Sequence, residues 1–254
     1  MPAALPIALQ DADLVVDELP VAQRPLRIAV VTETYPPEIN GVAMSFHRIV
    51  EGLRGRGHEL QLLRPRQQRG EAADAGKGFQ EVLMRGLPIP RYPDLKMGLP
   101  AKRALLALWR TRRPDVVHIA TEGPLGWSAL QAARVLRLPV TSDFRTNFHA
   151  YSRHYGIGWF SRPILAYLRK FHNHTATIMV PTQALADELA RCGLRHLRVV
   201  GRGVDTARFD PAQRNAALRQ AWGVGPQTLV VACVGRLAPE KNLGLLLRAF
   251  AAIR

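Results

Sequence analysis

The feature that most constrains the fold is a repeated alternation of short apolar runs with amphipathic segments. Residues 27–32, 115–119 and 177–180 are β-branched runs with few polar residues, typical of strands covered on both faces. Helical patterns separate such runs, as at residues 42–53 and 101–112. The alternation predicts an α/β fold with a Rossmann-like, doubly wound parallel sheet. Ligands of such sheets bind beyond the carboxyl ends of the strands.

The same patterns place the other elements, and Thr182 is a predicted N-cap. Strands are expected at residues 27–32, 59–63, 115–119, 139–142, 177–180, 197–200 and 228–234. Helices are expected at residues 42–53, 101–112, 123–136, 163–172, 182–192, 212–222 and 239–252. Polar residues 66–80 predict a flexible loop, and residues 86–100, rich in Pro and Gly, predict a structured connection.

Turn-rich segments divide the chain. We expect a loosely ordered tail at residues 1–24, a Rossmann-like domain at 25–210 and a linker at 211–226. Residues 227–254 contain one strand and one helix, so we expect them to be the first βα unit of a truncated second Rossmann-like domain.

Composition limits the class of protein. Two cysteines far apart, Cys192 and Cys233, fit neither a disulfide framework nor a zinc site and favour a reducing cytoplasm. No apolar run approaches the roughly 20 residues that span a bilayer. The first residues lack a basic leader, so we predict a cytoplasmic protein without a signal peptide or transmembrane segment.

The net charge of +15 suggests a polyanionic partner, such as phosphorylated substrates or an anionic membrane. The alternative is that arginine merely replaces lysine on solvated surfaces. No recognisable nucleic-acid module is present, so we predict no nucleic-acid partner. The basic helices at 101–113 and 162–172 would suit peripheral contact with an anionic membrane.

Polar residues follow several predicted strands at the ends where ligands bind. Pro36-Pro-Glu-Ile-Asn-Gly41 joins a strand to a helix start that favours anions, although it is no dinucleotide or P-loop fingerprint. His118 and Glu122 close another strand; a buried histidine and a helix-capping glutamate are equally compatible with the pattern. Residues 142–155 are the densest polar and aromatic cluster, which we interpret as a ligand loop rather than a solvated helix start. They lack metal-ligand spacing.

The segment Gly235-Arg-Leu-Ala-Pro-Glu-Lys-Asn242 carries the sharpest pattern. Arg236 leaves a strand, and Lys241 lies near a helix N-terminus, where a cation is mildly unfavourable. A bound anion between them would remove that penalty, so we interpret the two as a phosphate-binding pair. The alternative is a surface ion pair between Glu240 and Lys241.

Together these motifs resemble family 4 glycosyltransferases of the GT-B fold, over about nine-tenths of the chain. The resemblance rests on four segments in order: 28–42, 118–126, 203–205 and 234–242. The nearest branch includes lipid-directed mannosyl- and glucosyltransferases. It implies metal-independent, retaining transfer of a hexosyl group from a donor of the GDP-mannose or UDP-glucose type to a lipid or glycan acceptor. The donor is a substrate, and no cofactor is implied. A non-catalytic acceptor- or membrane-binding module is the alternative.

The resemblance also implies roles for individual residues, with the acceptor on the first domain and most of the nucleotide on the second. The catalytic residues would be Arg145, His149 and His118. The donor diphosphate would be bound by Gly41, Arg236 and Lys241. The acceptor or sugar would be bound by Tyr35, Asn40, Glu122, Asn147 and Asp205. Arg145 stands where the family commonly has a histidine, and the family's Glu-x7-Glu donor segment would lie beyond Arg254.

Overall fold

The computed structural model describes residues 24–38, 40–89, 92–145, 161–235 and 242–253. The strands are β1 Arg27–Val31, β2 Glu59–Pro65, β3 Ala75–Gly76, β4 Phe79–Met84, β5 Gly86–Ile89, β6 Tyr92–Gly98, β7 Val116–Ile119, β8 Val140–Asp143, β9 Thr177–Val180 and β10 Leu197–Val199. The helices are α1 Gly41–Gly55, α2 Lys102–Thr111, α3 Pro124–Val135, α4 Ser161–His172, α5 Gln183–Arg191, α6 Ala216–Ala221 and α7 Leu243–Ile253. These elements form the predicted α/β fold.

Eight strands form one sheet in the order β10-β9-β8-β7-β1-β2-β4-β3. All neighbours pair in parallel except β3 and β4. The strand order reverses between β1 and β7, because the chain moves to one side after β1 and to the other side after β7. This reversal is the switch point at which doubly wound sheets bind ligands.

The helices cover the sheet according to that reversal. α1 packs Phe46 and Val50 against Ile28 and Val30 on one face of β1. α2 and α3 pack against Ala29, Val31 and the same face of β7 and β8, and α4 and α5 continue this layer over β9. Right-handed crossovers require this arrangement, since opposite directions of travel place the helices on opposite faces. Among the described helices, α1 alone therefore lies on its face of the sheet.

Most predicted elements are confirmed, with shifts of a few residues at their ends. Thr182 is the N-cap of α5, where its hydroxyl accepts a hydrogen bond from the Leu185 N–H at 3.3 Å. The predicted helix at 212–222 is shorter, because Pro211–Gln213 forms a 3-10 turn before α6. Both cysteines are free. No helix in the described part of the chain has the length and apolar character needed to cross a membrane.

The prediction of a flexible loop at 66–80 was wrong in its second half, where β3 and β4 extend the sheet. A buried ion cluster explains the error. The guanidinium of Arg64 on β2 donates to Glu81 of β4 and to Glu71 of the intervening segment, both at 2.6 Å. Because this charge matching joins residues distant in sequence, the polar composition of the segment concealed its order. The connection at 86–100 is the antiparallel hairpin of β5 and β6.

The predicted strand at 228–234 was also wrong. These residues adopt no strand, and Leu229, Val231 and Val234 are 78%, 51% and 96% exposed. A strand needs a neighbour for its backbone N–H and C=O groups, and no described strand pairs with this run. The helix expected at 239–252 is α7, whose Leu247 and Phe250 are exposed.

Candidate active site

A groove of about 850 Å³ opens beside the switch point on the face that α1 covers. One wall is α1, with Ile49 and Arg48; the opposite wall is the segment 200–204 after β10. The floor consists of side chains from β7, β8 and β9. On this face of the sheet, no helix of the described residues covers these three strands. The groove is mostly apolar, and its polar groups gather where β7 and β8 end.

His118, Asp143 and Arg145 form that polar group. Asp143 ends β8, and its Oδ2 accepts a hydrogen bond from Arg145 Nε at 2.5 Å and lies 3.6 Å from His118 Nε2. The other ring nitrogen of His118 is hydrogen-bonded to Thr141 Oγ1 at 2.8 Å. The structure thus brings together two of the predicted catalytic residues through an aspartate of the predicted ligand loop.

Helix α1 completes the cluster. Ser45 Oγ accepts a hydrogen bond from Arg145 Nη1 at 3.1 Å. The ring of Phe46 stacks on His118 with centroids 5.5 Å apart, and the Arg145 guanidinium lies 4.3 Å from the centroid of the same ring. Sequence reasoning missed Ser45 and Phe46. Both residues lie about one helical turn after Gly41 in the sequence. Their contacts with the cluster, however, follow from the packing of α1 on β7, which the sequence does not show.

The cluster stabilises an ionised aspartate. Burial by itself would raise the pKa of Asp143, but hydrogen bonding and attraction from His118 and Arg145 outweigh it, so the pKa lies below its ordinary value. A guanidinium cannot act as a base, so Arg145 can bind an anion or donate to a hydroxyl. The arrangement therefore suits binding and charge stabilisation at the strand ends.

The loop before α1 has a well-defined capping role. Asn40 is the N-cap, and its Oδ1 accepts hydrogen bonds from the N–H groups of Val42 and Ala43 at 3.0 and 2.8 Å. Its Nδ2 donates to Thr34 and Glu38. Gly41 follows in open space, since a Cβ added there would meet nothing within 4 Å. The loop thus leaves room for a ligand at Gly41, while Asn40 is occupied internally.

Tyr35 lies on the inner side of this loop. It is buried, its hydroxyl is hydrogen-bonded to His47 Nδ1 at 3.2 Å, and the two rings meet edge to face. Burial raises the pKa of Tyr35 to about 12. The phenol is therefore neutral at pH 7 and packs the loop against α1.

Glu122 belongs to a second, fully enclosed cluster. Its carboxylate lies 3.2 Å from Nε2 of His172, which has no exposed surface, and His172 Nδ1 is hydrogen-bonded to Ser142 Oγ at 2.9 Å. The Ser–His–Glu composition resembles a hydrolase triad. The serine, however, is also fully buried and lies under α4, so a substrate has no access to it. The cluster links β8, the segment before α3 and α4.

Glu33 is a partly buried carboxyl that sequence reasoning did not single out. It follows β1, and its two oxygens accept hydrogen bonds from the N–H groups of Leu125 and Gly98, each at 3.0 Å. Burial outweighs these contacts and raises the pKa of Glu33 to about 7. Its position directly after a predicted strand, where such sheets bind ligands, is the signal that could have identified it.

Asp205 directly follows the segment 200–204 that forms one wall of the groove. Its carboxylate pairs with Arg48 of α1 at 3.2 Å and accepts a hydrogen bond from the Arg208 N–H at 3.1 Å. The Arg208 N–H and Arg48 lower the pKa of Asp205. This exposed pair connects α1 to the segment that forms the other wall of the groove.

Four predicted site residues, Asn147, His149, Arg236 and Lys241, lie outside the described residues. Within the described ranges, no group of three His, Cys, Asp or Glu side chains is arranged to hold a metal ion.

The fold and the site define an α/β protein with a polar cluster and an open glycine loop at the switch point of its sheet. Residues 39–208 match the model of Glycosyltransferase Family 4. The chain belongs to this family.

Two relatives illustrate the similarity. A GDP-mannose-dependent alpha-mannosyltransferase of Mycobacterium tuberculosis is 35% identical over 233 residues, which cover 90% of this chain and 61% of the relative. An alpha-monoglucosyldiacylglycerol synthase of Streptococcus pneumoniae is 25% identical, over 89% of this chain and 52% of the relative. The chain thus spans between half and two thirds of the length of these curated relatives.

A solved structure supports the fold. Sucrose-phosphate synthase from Thermosynechococcus elongatus superposes with a TM-score of 0.65 at 14% identity, covering 90% of this chain and 60% of the other. At this identity the likeness concerns architecture, and it agrees with the GT-B fold class predicted from the sequence.

Proposed function

We propose that the full-length protein is a retaining hexosyltransferase that moves a sugar from a nucleotide-diphospho-sugar to a lipid or glycan acceptor. The observation that carries this proposal is the His118–Asp143–Arg145 cluster at the switch point of a family 4 chain. The GDP-mannose dependence and the diacylglycerol product named for the two relatives favour a GDP-mannose or UDP-glucose type of donor and a lipid acceptor. The donor is a substrate, and no cofactor or metal takes part in the proposed reaction.

The two predicted domains bind the two substrates of the proposed reaction. Residues 25–210 bind the acceptor, which enters the groove beside α1. Residues 227–254 contribute Arg236 and Lys241 to the donor diphosphate, while the open space at Gly41 lets the diphosphate approach the facing loop. The leaving nucleoside diphosphate gathers negative charge, which fixed cations stabilise without a metal.

Within the cluster the three side chains have separate roles. Arg145 donates to a sugar hydroxyl or a phosphate oxygen, because its guanidinium lines the groove and is held there by Asp143 and Ser45. His118 contacts the acceptor side of the groove, and Asp143 keeps its ring in place. His149 and Asn147 would add contacts from the segment that follows β8. Tyr35, Asn40, Glu122 and Asp205 are the residues predicted to bind the acceptor or sugar. Because their polar groups pair within the protein, the proposal gives them the supporting role of holding the loop before α1, the segment before α3 and the groove wall.

The test uses the full-length protein with GDP-mannose and UDP-glucose, and measures nucleoside diphosphate release and the anomeric configuration of the product. Arg145→Ala, Arg236→Ala and Lys241→Ala should each lower turnover at least about 100-fold. Arg191→Ala, which removes an exposed cation of α5, is the matched control and should retain turnover. Normal turnover in both Arg236→Ala and Lys241→Ala, or an inverted product, would contradict the proposal.

We also propose peripheral contact with an anionic membrane on the cytoplasmic side. The cations of α2 point outward, whereas its apolar residues Leu105 and Trp109 are buried in the core. Contact through α2 would therefore be electrostatic rather than by insertion. Vesicles of anionic phospholipid should bind this chain at low salt and release it at high salt, and binding should weaken in the double variant Arg103→Ala/Arg110→Ala. Absence of binding at low salt would exclude this role.

A further inference from the structure

Glu38 is a nearly buried carboxylate, 9% exposed, that three polar groups surround. Thr34 Oγ1 and Asn40 Nδ2 donate to its Oε2 at 2.5 and 3.2 Å, and Gln67 Nε2 donates to its Oε1 at 2.6 Å. All three partners donate hydrogen bonds, so both side-chain oxygens of residue 38 must act as acceptors. Burial raises the pKa of this carboxyl, and the three donors oppose that effect.

These contacts decide which end of the Asn40 amide faces α1. Because Nδ2 of Asn40 donates to Glu38 and Thr34, Oδ1 is turned toward the helix, where it accepts from Val42 and Ala43. A flipped amide would present its own donors to these two N–H groups and leave them without an acceptor. The first turn of α1 thus depends on an acceptor at position 38.

Glu38 is itself fixed from the sheet. Gln67 lies in the segment after β2, and its N–H donates to Glu71 Oε2 at 2.6 Å. The other oxygen of Glu71 accepts from Arg64, which is 4% exposed and also bound to Glu81 of β4. A continuous series of hydrogen bonds therefore runs from the interior of β4 through Gln67 and Glu38 to the start of α1.

The end of this series is the turn with the open space at Gly41. We propose that Glu38, held by Gln67, is a positioning residue that fixes the Asn40 cap and thereby aligns the Gly41 turn with the donor diphosphate. This inference rests on the proposed function. It assigns to the segment 66–74 a part in donor binding, although that segment does not itself touch the donor.

The test compares Glu38→Gln with Glu51→Gln, a matched change on the exposed side of α1, in the full-length protein. Glu38→Gln replaces one acceptor oxygen by a donor and should raise the KM for the nucleotide-sugar roughly tenfold. The KM for the acceptor should stay within about twofold, because the groove is unchanged. Hydrogen exchange at the Val42 and Ala43 amides should accelerate in Glu38→Gln and not in the control.

Gln67→Ala removes a single donor and serves as a milder variant if Glu38→Gln fails to fold. It should shift the donor KM in the same direction by a smaller factor, and the double variant should be less than additive. Faster exchange at residues 42 and 43 with an unchanged donor KM would overturn the positioning role. Equal rises in both KM values would overturn it as well. A wild-type protein that turns over no nucleotide-sugar would instead defeat the proposed function, and this inference with it.

Discussion

At the scale of single residues, Glu33 joins three parts of the chain. It follows β1, and its carboxylate accepts hydrogen bonds from the N–H of Gly98, the last residue of β6, and from the N–H of Leu125 in the first turn of α3. A carboxylate at a helix N-terminus is favourable, yet the burial of Glu33 outweighs this and raises its pKa from 4.5 to about 7. Its charge state therefore changes near neutral pH.

This shift predicts a pH dependence of stability. The folded protein holds a proton on Glu33 between pH 4.5 and about 7, whereas the unfolded chain does not, so the contribution is present below pH 4.5 and is lost as pH rises through about 7. Its size is at most about 3 kcal/mol. Urea unfolding at several pH values should show the free energy of unfolding falling across this window, and Glu33→Gln should flatten that slope. An unchanged slope in Glu33→Gln would refute the assignment to Glu33.

Two glycines of the site allow a matched pair of substitutions. A Cβ at Gly123 would lie 2.0 Å from Glu33 Oε1, whereas a Cβ at Gly41 would meet nothing within 4 Å. Gly123→Ala should therefore cost about 1 to 3 kcal/mol of stability by overpacking. Gly41→Ala should leave stability unchanged or slightly raised, yet lower turnover of the full-length protein if the donor approaches there. Thermal unfolding and donor kinetics separate the two effects, and equal stability losses would argue against this reading.

At the scale of elements, local patterns predicted the strands that are short apolar runs. β1 and β9 are such β-branched runs, and Thr177–Val180 has the bounds that the pattern indicated. β4 was not predicted, because Glu81 interrupts its apolar pattern and the cation that pairs with Glu81 comes from β2. For the apolar run 228–234 the error was the opposite: its composition indicates a strand, but no described strand lies beside it to pair with its backbone.

The Arg64 cluster predicts how the edge of the sheet responds to mutation. Arg64→Ala would leave Glu81 buried, and Glu71 partly so, without their cation, which should cost about 3 to 5 kcal/mol. Arg66→Ala, on an exposed residue that follows the same strand, should change stability by less than about 0.5 kcal/mol. Urea unfolding measures both values, and limited proteolysis should cleave the segment 66–74 faster only in Arg64→Ala. A loss below about 1 kcal/mol would show that the cluster is not needed for the edge.

At the scale of the whole molecule, the described part of the chain carries apolar surface near its carboxyl end. Leu229 and Val234, and Leu247 and Phe250 of α7, are each at least half exposed. Exposed apolar surface of this kind favours association. The 254-residue chain should therefore self-associate at micromolar concentration in sedimentation velocity experiments, and the double variant Val234→Lys/Leu247→Lys should be more monomeric. Val135→Lys, an isolated exposed valine on α3, is the control. A monomeric parent chain would contradict this prediction.

The candidate site was predictable to the extent that the sheet topology determines it. The carboxyl ends of neighbouring parallel strands meet at one edge, and this rule brought His118 of β7 near Asp143 of β8 and Arg145 just after it. The rule does not describe what packs above the strands. Ser45 and Phe46 enter the cluster through the packing of α1. Glu33, outside that cluster, is held through the close approach of α3 at Gly123. Such contacts depend on side-chain packing between distant segments.

The central position of β1 also has a consequence for folding during translation. β1 pairs on one side with β2, which follows soon, and on the other side with β7; Arg27 and Asp115, at the start of that pairing, are 88 positions apart. Translation adds about 5 to 20 residues per second. The backbone groups on one edge of β1 therefore stay unpaired on the nascent chain for several seconds. We expect a chaperone to bind the nascent chain at this edge.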